Sequence, residues 1–126
     1  MKAAHDLVMQ AKQRIQEVSL ADAPQAIAQA DVLIDVREGA EFEAGHLPNA
    51  VCIPRGLLEF KLDGDPSLKN RSTRIVLYCK SSGRAALCAA SLADMGYSHV
   101  LSIAGGYDAW VAAGLAVQQP DQTAFD

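Results

Sequence analysis

Apolar residues recur along this chain in two rhythms. Over 3–18, Leu7, Val8, Ala11, Ile15 and Val18 fall at helical spacing, with Lys12, Gln13, Arg14 and Gln16 between them. That spacing predicts an amphipathic helix over 3–18 lying on the core. Elsewhere the apolar residues come in short unbroken runs: "DVLIDV" (31–36), "NAVCIP" (49–54), "RIVLYC" (74–79) and "HVLSIAGG" (99–106). Such runs suit strands buried on both faces, the second of them stopped by Pro54. A further short strand fits at 18–20. Helices are expected from about Pro24, with Asp22 as N-cap, and over 38–46, 55–62, 83–96 and 107–114, the last two closed by glycines. "DGDPSLKNRST" (63–73) reads as a surface loop and 115–126 as a loosely held tail. Short buried strands alternating with helices predict an α/β fold, a mostly parallel sheet of four to five strands with helices on both faces. In such sheets sites gather at the carboxyl ends of strands. Arg37, Cys79 and Gly105 all fall just beyond predicted strand ends.

Size and charge narrow the classes. A chain of 126 residues favours one compact domain, and the net charge of -4 argues against a general nucleic-acid binder. No apolar run is long enough to span a bilayer, and charges interrupt the apolar positions of the first residues, unlike a signal peptide. The three cysteines, Cys52, Cys79 and Cys88, form no CxxC pair and leave an odd count. A disulfide framework is not expected, and a reducing, cytoplasmic location is. His5, His46 and His99 are scattered and lack metal-ligand spacing. No metal site is expected.

The chemistry concentrates in "RIVLYCKSSGRAALCAASLADMGY". Cys79 ends a strand, and Lys80, Ser81, Ser82 and Gly83 lead to Arg84 at the start of an alanine-rich helix. Such a loop turns successive backbone N–H groups inward as an anion-binding nest. A thiol at its base feels the helix dipole, those donors, and the charges of Lys80 and Arg84 where they point inward. Each favours the thiolate, the nucleophilic form. Gly83 is expected to supply a positive φ or a close backbone approach, and Ser81 and Ser82 to leave room and donate hydrogen bonds. A free cysteine is more often a small buried hydrophobe, and Cys52 and Cys88 are read so. At Cys79 the strand end, the small residues and the arginine reverse that balance. His46 beside a turn and the pair Asp35 and Arg37 are read as supporting groups, and Trp110 as a core anchor.

Four stretches in order, "LIDVRE", "EFEAGHLPNAVCIP", "YCKSSGRA" and "IAGGYDAW", resemble the single-domain rhodanese-like sulfurtransferases. The resemblance runs from about 17 to 116. It implies an N-terminal helix at 1–16 beyond a rhodanese-like domain at 17–117, with a tail at 118–126. The helix either caps the sheet or supports a dimer contact, so a monomer or weak dimer is expected. The family's loop often has Arg where Lys80 stands and Gly where Ser82 stands; Asn49 replaces a Gly, and Cys52 an Asn.

The resemblance implies that Cys79 attacks the outer sulfur of a small anionic donor such as thiosulfate, forms a persulfide and passes the sulfur to a thiol or protein acceptor, or to cyanide in an assay. Lys80, Ser81, Ser82, Gly83 and Arg84 would bind the donor. Neither nucleic acid nor membrane is an expected partner. Three alternatives stand beside it: a persulfide relay fed by a protein donor, a non-enzymatic binding or regulatory module, and a phosphatase or arsenate reductase. The related phosphatases hold five residues between Cys and Arg, whereas Cys79 and Arg84 enclose four.

Overall fold

The structure is a computed structural model and describes residues 1–119. In chain order it has helix α1 (Ala4–Lys12), strand β1 (Gln16–Val18), α2 (Ala23–Gln29), β2 (Val32–Asp35), α3 (Gly39–Ala44), β3 (Val51–Cys52), a 3-10 turn (Arg55–Leu57), α4 (Leu58–Gly64), β4 (Arg74–Tyr78), α5 (Gly83–Asp94), β5 (His99–Ile103) and α6 (Gly106–Ala112). The five strands form one sheet in the order β1-β5-β4-β2-β3. Every pair is parallel, with Leu77 opposite both Ile34 and Ser102. All carboxyl ends therefore lie along one edge.

Alternation within the central strand β4 divides the core. Ile75 and Leu77 pack with Ile34, Val36, Leu58, Leu62 and Leu92 on one face. Val76 and Tyr78 pack with Leu33, Ala23, Ile103 and Trp110 on the other. The apolar run of "RIVLYC" follows from this, since both faces of the strand are covered. Trp110 is a core anchor, and its indole N–H donates to Ala116 O at 2.8 Å.

Several boundaries differ from the sequence expectation. The helix expected over 3–18 stops at Lys12, and Gln16–Val18 joins the sheet instead. Without β1 the edge of β5 would expose a row of unpaired backbone groups. The β-branched Val18 is buried there among Ala23, Ile103 and Trp110. Asp22 holds the N-cap position of α2 but makes no side-chain capping bond. Strand β3 is a two-residue edge strand with Val51 exposed, so Cys52 is half-buried and not deep in a core strand. The segment 115–119, expected to be loose, is tied down: Gln118 and His46 exchange backbone hydrogen bonds of 2.7 and 2.8 Å. The rest of the expected tail lies outside the described residues.

Candidate functional site

Cys79 stands between the last residue of β4 and the N-terminus of the twelve-residue α5. The first N–H groups of a helix have no partner within it. One of these, from Ala85, donates to the Cys79 Sγ at 3.3 Å. The sulfur thus takes the place of a capping acceptor at the positive end of the helix dipole, where negative charge is favoured. Cys79 is buried, at 1% exposure.

Helix α6 shapes the loop from behind. Gly105 and Gly106 adopt left-handed φ values of 78° and 59°. A Cβ on Gly106 would lie 2.3 Å from Ser81 O, 2.5 Å from Cys79 O and 2.9 Å from Lys80 O. The N–H of Tyr107 donates to Cys79 O at 2.8 Å, and that of Asp108 to Lys80 O at 3.0 Å. In a trans peptide the N–H points opposite to the carbonyl. Gathering these carbonyls at α6 turns the N–H groups of residues 80–82 to the other side of the loop. Gly106 of "IAGGYDAW" is required by this close approach, and Gly105 by its own φ and by Ala109, whose Cβ would lie 2.5 Å from a Cβ added there.

The charges are arranged differently from the expectation. Lys80 and Arg84 do not stand free beside the sulfur. Lys80 lies exposed on the rim, its Nζ 2.8 Å from Asp108 Oδ2. Arg84 makes a two-pronged pair with Glu41, at 2.7 and 3.0 Å. Helices α3 and α6 each begin just beyond a neighbouring strand and so carry these carboxylates to the loop. Gly83 has no positive φ, and a Cβ there would meet only Val8 Cγ2, 3.4 Å away at ordinary contact distance, so neither expected reason for a glycine holds. Ser82, with φ -155°, needs no glycine either. Asn49 does adopt the left-handed φ, 67°, that its turn requires.

Hydrogen bonding to Arg84, helped by the Glu38 N–H, holds the Glu41 carboxyl down to about 2 from the ordinary 4.5. Because the folded value is the lower one, the pair's contribution is complete above pH 4.5 and is lost as pH falls toward about 2. Both side chains are about one-third exposed, which limits the contribution to about 1 kcal/mol at most. Glu41→Gln should therefore be less stable than wild type at pH 7 by no more than that amount. Urea denaturation should show the difference closing below pH 4.5; a difference that persists at pH 2 would separate the pair from acid stability.

Asp35, Arg37 and His46 are all buried. Arg37 donates to both Asp35 carboxylate oxygens at 2.7–3.0 Å and to Gly45 O at 2.6 Å. Its guanidinium lies over Tyr107, 4.2 Å from the ring centroid. Burial opposes its charge, but the bonds and charge of Asp35 prevail and raise its pKa. The pair clasps the end of β2 to the end of α3 and the start of α6. His46 stacks on Phe42, and its Nδ1 lies 2.8 Å from Leu47 O. Burial pushes the Cys88 thiol up to about 12, in keeping with a core residue. Burial, with Asp35 second, also raises Cys52.

Beside the loop, a cavity of about 270 Å³ opens between Arg37, Glu41, Gly45, Lys80, Tyr107 and Asp108. Glu41, Asp108 and Tyr107 escaped the sequence reading as site residues, although they lie inside the motifs "EFEAGH" and "GGYDAW". Their partners come from other strands' connections, which no local pattern announces.

Residues 19–113 match the model of the rhodanese-like domain family. A sulfurtransferase of Allochromatium vinosum is 34% identical over 90 residues, covering 71% of this chain and 80% of that protein. Several other relatives are longer, and the matching stretch makes up between 19% and 57% of them. A Rhodopseudomonas palustris protein of unknown function, described as a possible tyrosine phosphatase, superposes with TM-score 0.85 at 30% identity, over 94% of this chain and 96% of that one. A human single-domain sulfurtransferase does so with TM-score 0.70 at 27% identity, over 76% and 95%.

Proposed function

The chain belongs to the rhodanese-like family of sulfurtransferases, and on that premise we propose that it carries a sulfane sulfur on Cys79, taken from a small anionic donor such as thiosulfate. The Cys79 thiolate attacks the outer sulfur of thiosulfate. The S–S bond of the donor breaks, sulfite leaves with its electron pair, and Cys79 persulfide remains. A nucleophilic acceptor then attacks the terminal sulfur, and the bonding pair returns to Cys79 as thiolate. Cyanide would leave as thiocyanate; a thiol would leave as a persulfide. The steps as written use no metal or organic cofactor.

The observation that carries this reading is the bond from the Ala85 N–H to the Cys79 sulfur at the start of α5. A group bound there gains from negative charge on sulfur, and both thiolate and persulfide bear it. The backbone of Lys80, Ser81, Ser82 and Gly83 would cradle the outer sulfur, with Arg84 held in place by Glu41. The phosphatase activity suggested for the Rhodopseudomonas protein is disfavoured here, because four residues between Cys79 and Arg84 leave little room for a tetrahedral oxyanion above the sulfur. The assay is thiocyanate release from thiosulfate and cyanide by the wild type; no release with thiosulfate, together with turnover of an aryl phosphate, would overturn the reading.

The pairing of Lys80 with Asp108 and Arg84 with Glu41 favours a second reading, a relay fed by a protein persulfide. A rim whose cations are already matched attracts a dianion weakly. Asp108→Asn, which frees Lys80, should raise kcat/KM for thiosulfate about two- to fivefold and make it fall with added salt. An unchanged constant would mean that Lys80 has no part in drawing the donor. Faster loading by a persulfide-bearing desulfurase than by thiosulfate would select the relay.

A further inference from the structure

Helix α1 lies outside the residues that match the family model, yet it touches the Cys79 loop at two places. Ala11 packs with Ala86 and Ala90, small residues that let α1 approach α5 closely, and Val8, Leu87 and Ile15 close the contact. Val8 lies 3.4 Å from where a Cβ of Gly83 would stand. One turn on, Lys12 Nζ donates to Ser82 Oγ at 2.8 Å. The same ammonium lies 3.7 Å from Glu17 Oε2 on β1, so it is held from a second side. Both Lys12 and Glu17 are roughly three-tenths exposed, which limits screening.

Ser82 is the N-cap residue of α5, its carbonyl accepting the Ala86 N–H at 2.9 Å. A serine in that position ordinarily turns its hydroxyl onto the N–H of the second or third helical residue. Here the third residue is Ala85, whose N–H goes to the Cys79 sulfur instead, and Ser82 makes no side-chain cap. A capping hydroxyl would compete with the Cys79 sulfur for the Ala85 N–H, and Lys12 holds the Ser82 hydroxyl turned toward itself.

We propose that Lys12 is a positioning residue for sulfur transfer: by holding the Ser82 hydroxyl, it reserves the Ala85 N–H for the sulfur on Cys79. Removing Lys12 frees the hydroxyl to cap Ala85, and the thiolate and persulfide lose a hydrogen bond. The inference rests on the reading that Cys79 carries sulfur.

The test follows the rate of Cys79 persulfide formation by mass under single-turnover conditions, with thiosulfate, or with glutathione persulfide if thiosulfate does not load the wild type. Lys12→Met should slow loading at saturating donor about tenfold, the worth of one charge-assisted hydrogen bond, with the half-saturating concentration within about twofold. Lys12→Arg should restore most of the rate. Adding Ser82→Ala to Lys12→Met removes the competitor and should raise the rate again, several-fold above Lys12→Met alone. A role of Lys12 in docking α1 alone would give no such recovery. Thermal unfolding of each variant checks that the fold persists, and Lys12→Leu serves if Lys12→Met unfolds. Wild-type loading by Lys12→Met, or a double variant no faster than Lys12→Met, would overturn this inference while leaving the proposed function intact. Failure of the wild type to load with either donor would remove both.

Discussion

Cys79→Ser is expected to lower sulfur transfer by about 10³-fold or more while the protein stays folded. The two parts of that expectation have separate physical grounds. A serine hydroxyl is a weak nucleophile at neutral pH without an adjacent base, and its oxygen cannot carry sulfur as a persulfide. The fold should survive because the replacement is small and Oγ accepts the Ala85 N–H as readily as sulfur does. The packing lost is one sulfur's worth at a site between β4 and α5, so the thermal midpoint should move by only a few degrees. Thiocyanate release and a thermal melt on the same sample check both parts. Substantial turnover by a folded Cys79→Ser protein would remove Cys79 from the chemistry.

Gly106→Ala is expected to be the most damaging change outside the cysteine. The residue has φ 59°, where a Cβ costs about 1–2 kcal/mol by itself. The added carbon would also lie 2.3–2.9 Å from three backbone carbonyl oxygens of residues 79–81. These are main-chain atoms, those of Cys79 and Lys80 fixed by the Tyr107 and Asp108 N–H bonds, so relief requires moving the loop or α6. Together the effects should cost about 3 kcal/mol or more, a fall in midpoint of roughly 10 °C. Protein that remains folded should still load sulfur poorly, because the loop N–H groups are no longer set by α6. Gly39→Ala is the control: a Cβ there meets nothing within 4 Å, and stability should change by less than about 1 kcal/mol. Equal melting of the two variants would contradict the account of the loop.

The sheet was legible in the sequence because burial on both faces leaves an unbroken apolar run, as in "RIVLYC", and turn residues bound each run. The place of Cys79 followed, since a strand end followed by small residues and a helix start needs no long-range information. The end of α1 was not legible: Ile15 and Val18 continue a helical spacing, and only the open edge of β5 makes a strand there. The exposure of β3 was hidden for the same reason, because its hydrophobic run does not say that it ends the sheet. Which way Lys80 and Arg84 point was not legible, because their partners, Asp108 and Glu41, are 28 and 43 residues away. Lys12 and Ser82 are 70 residues apart. Pairs of this kind are created by topology, and no periodicity encodes them.

The most direct measurement is the intact mass of the protein after incubation with thiosulfate, or with glutathione persulfide if thiosulfate is inert, followed by peptide mapping and then cyanide. The expected result is a gain of one sulfur atom, mapped to Cys79 and not to Cys52 or Cys88, absent in Cys79→Ser, and removed by cyanide with release of thiocyanate. A wild-type protein that gains no sulfur from either donor, or gains it on another cysteine, would contradict the assignment of Cys79 as the sulfur carrier.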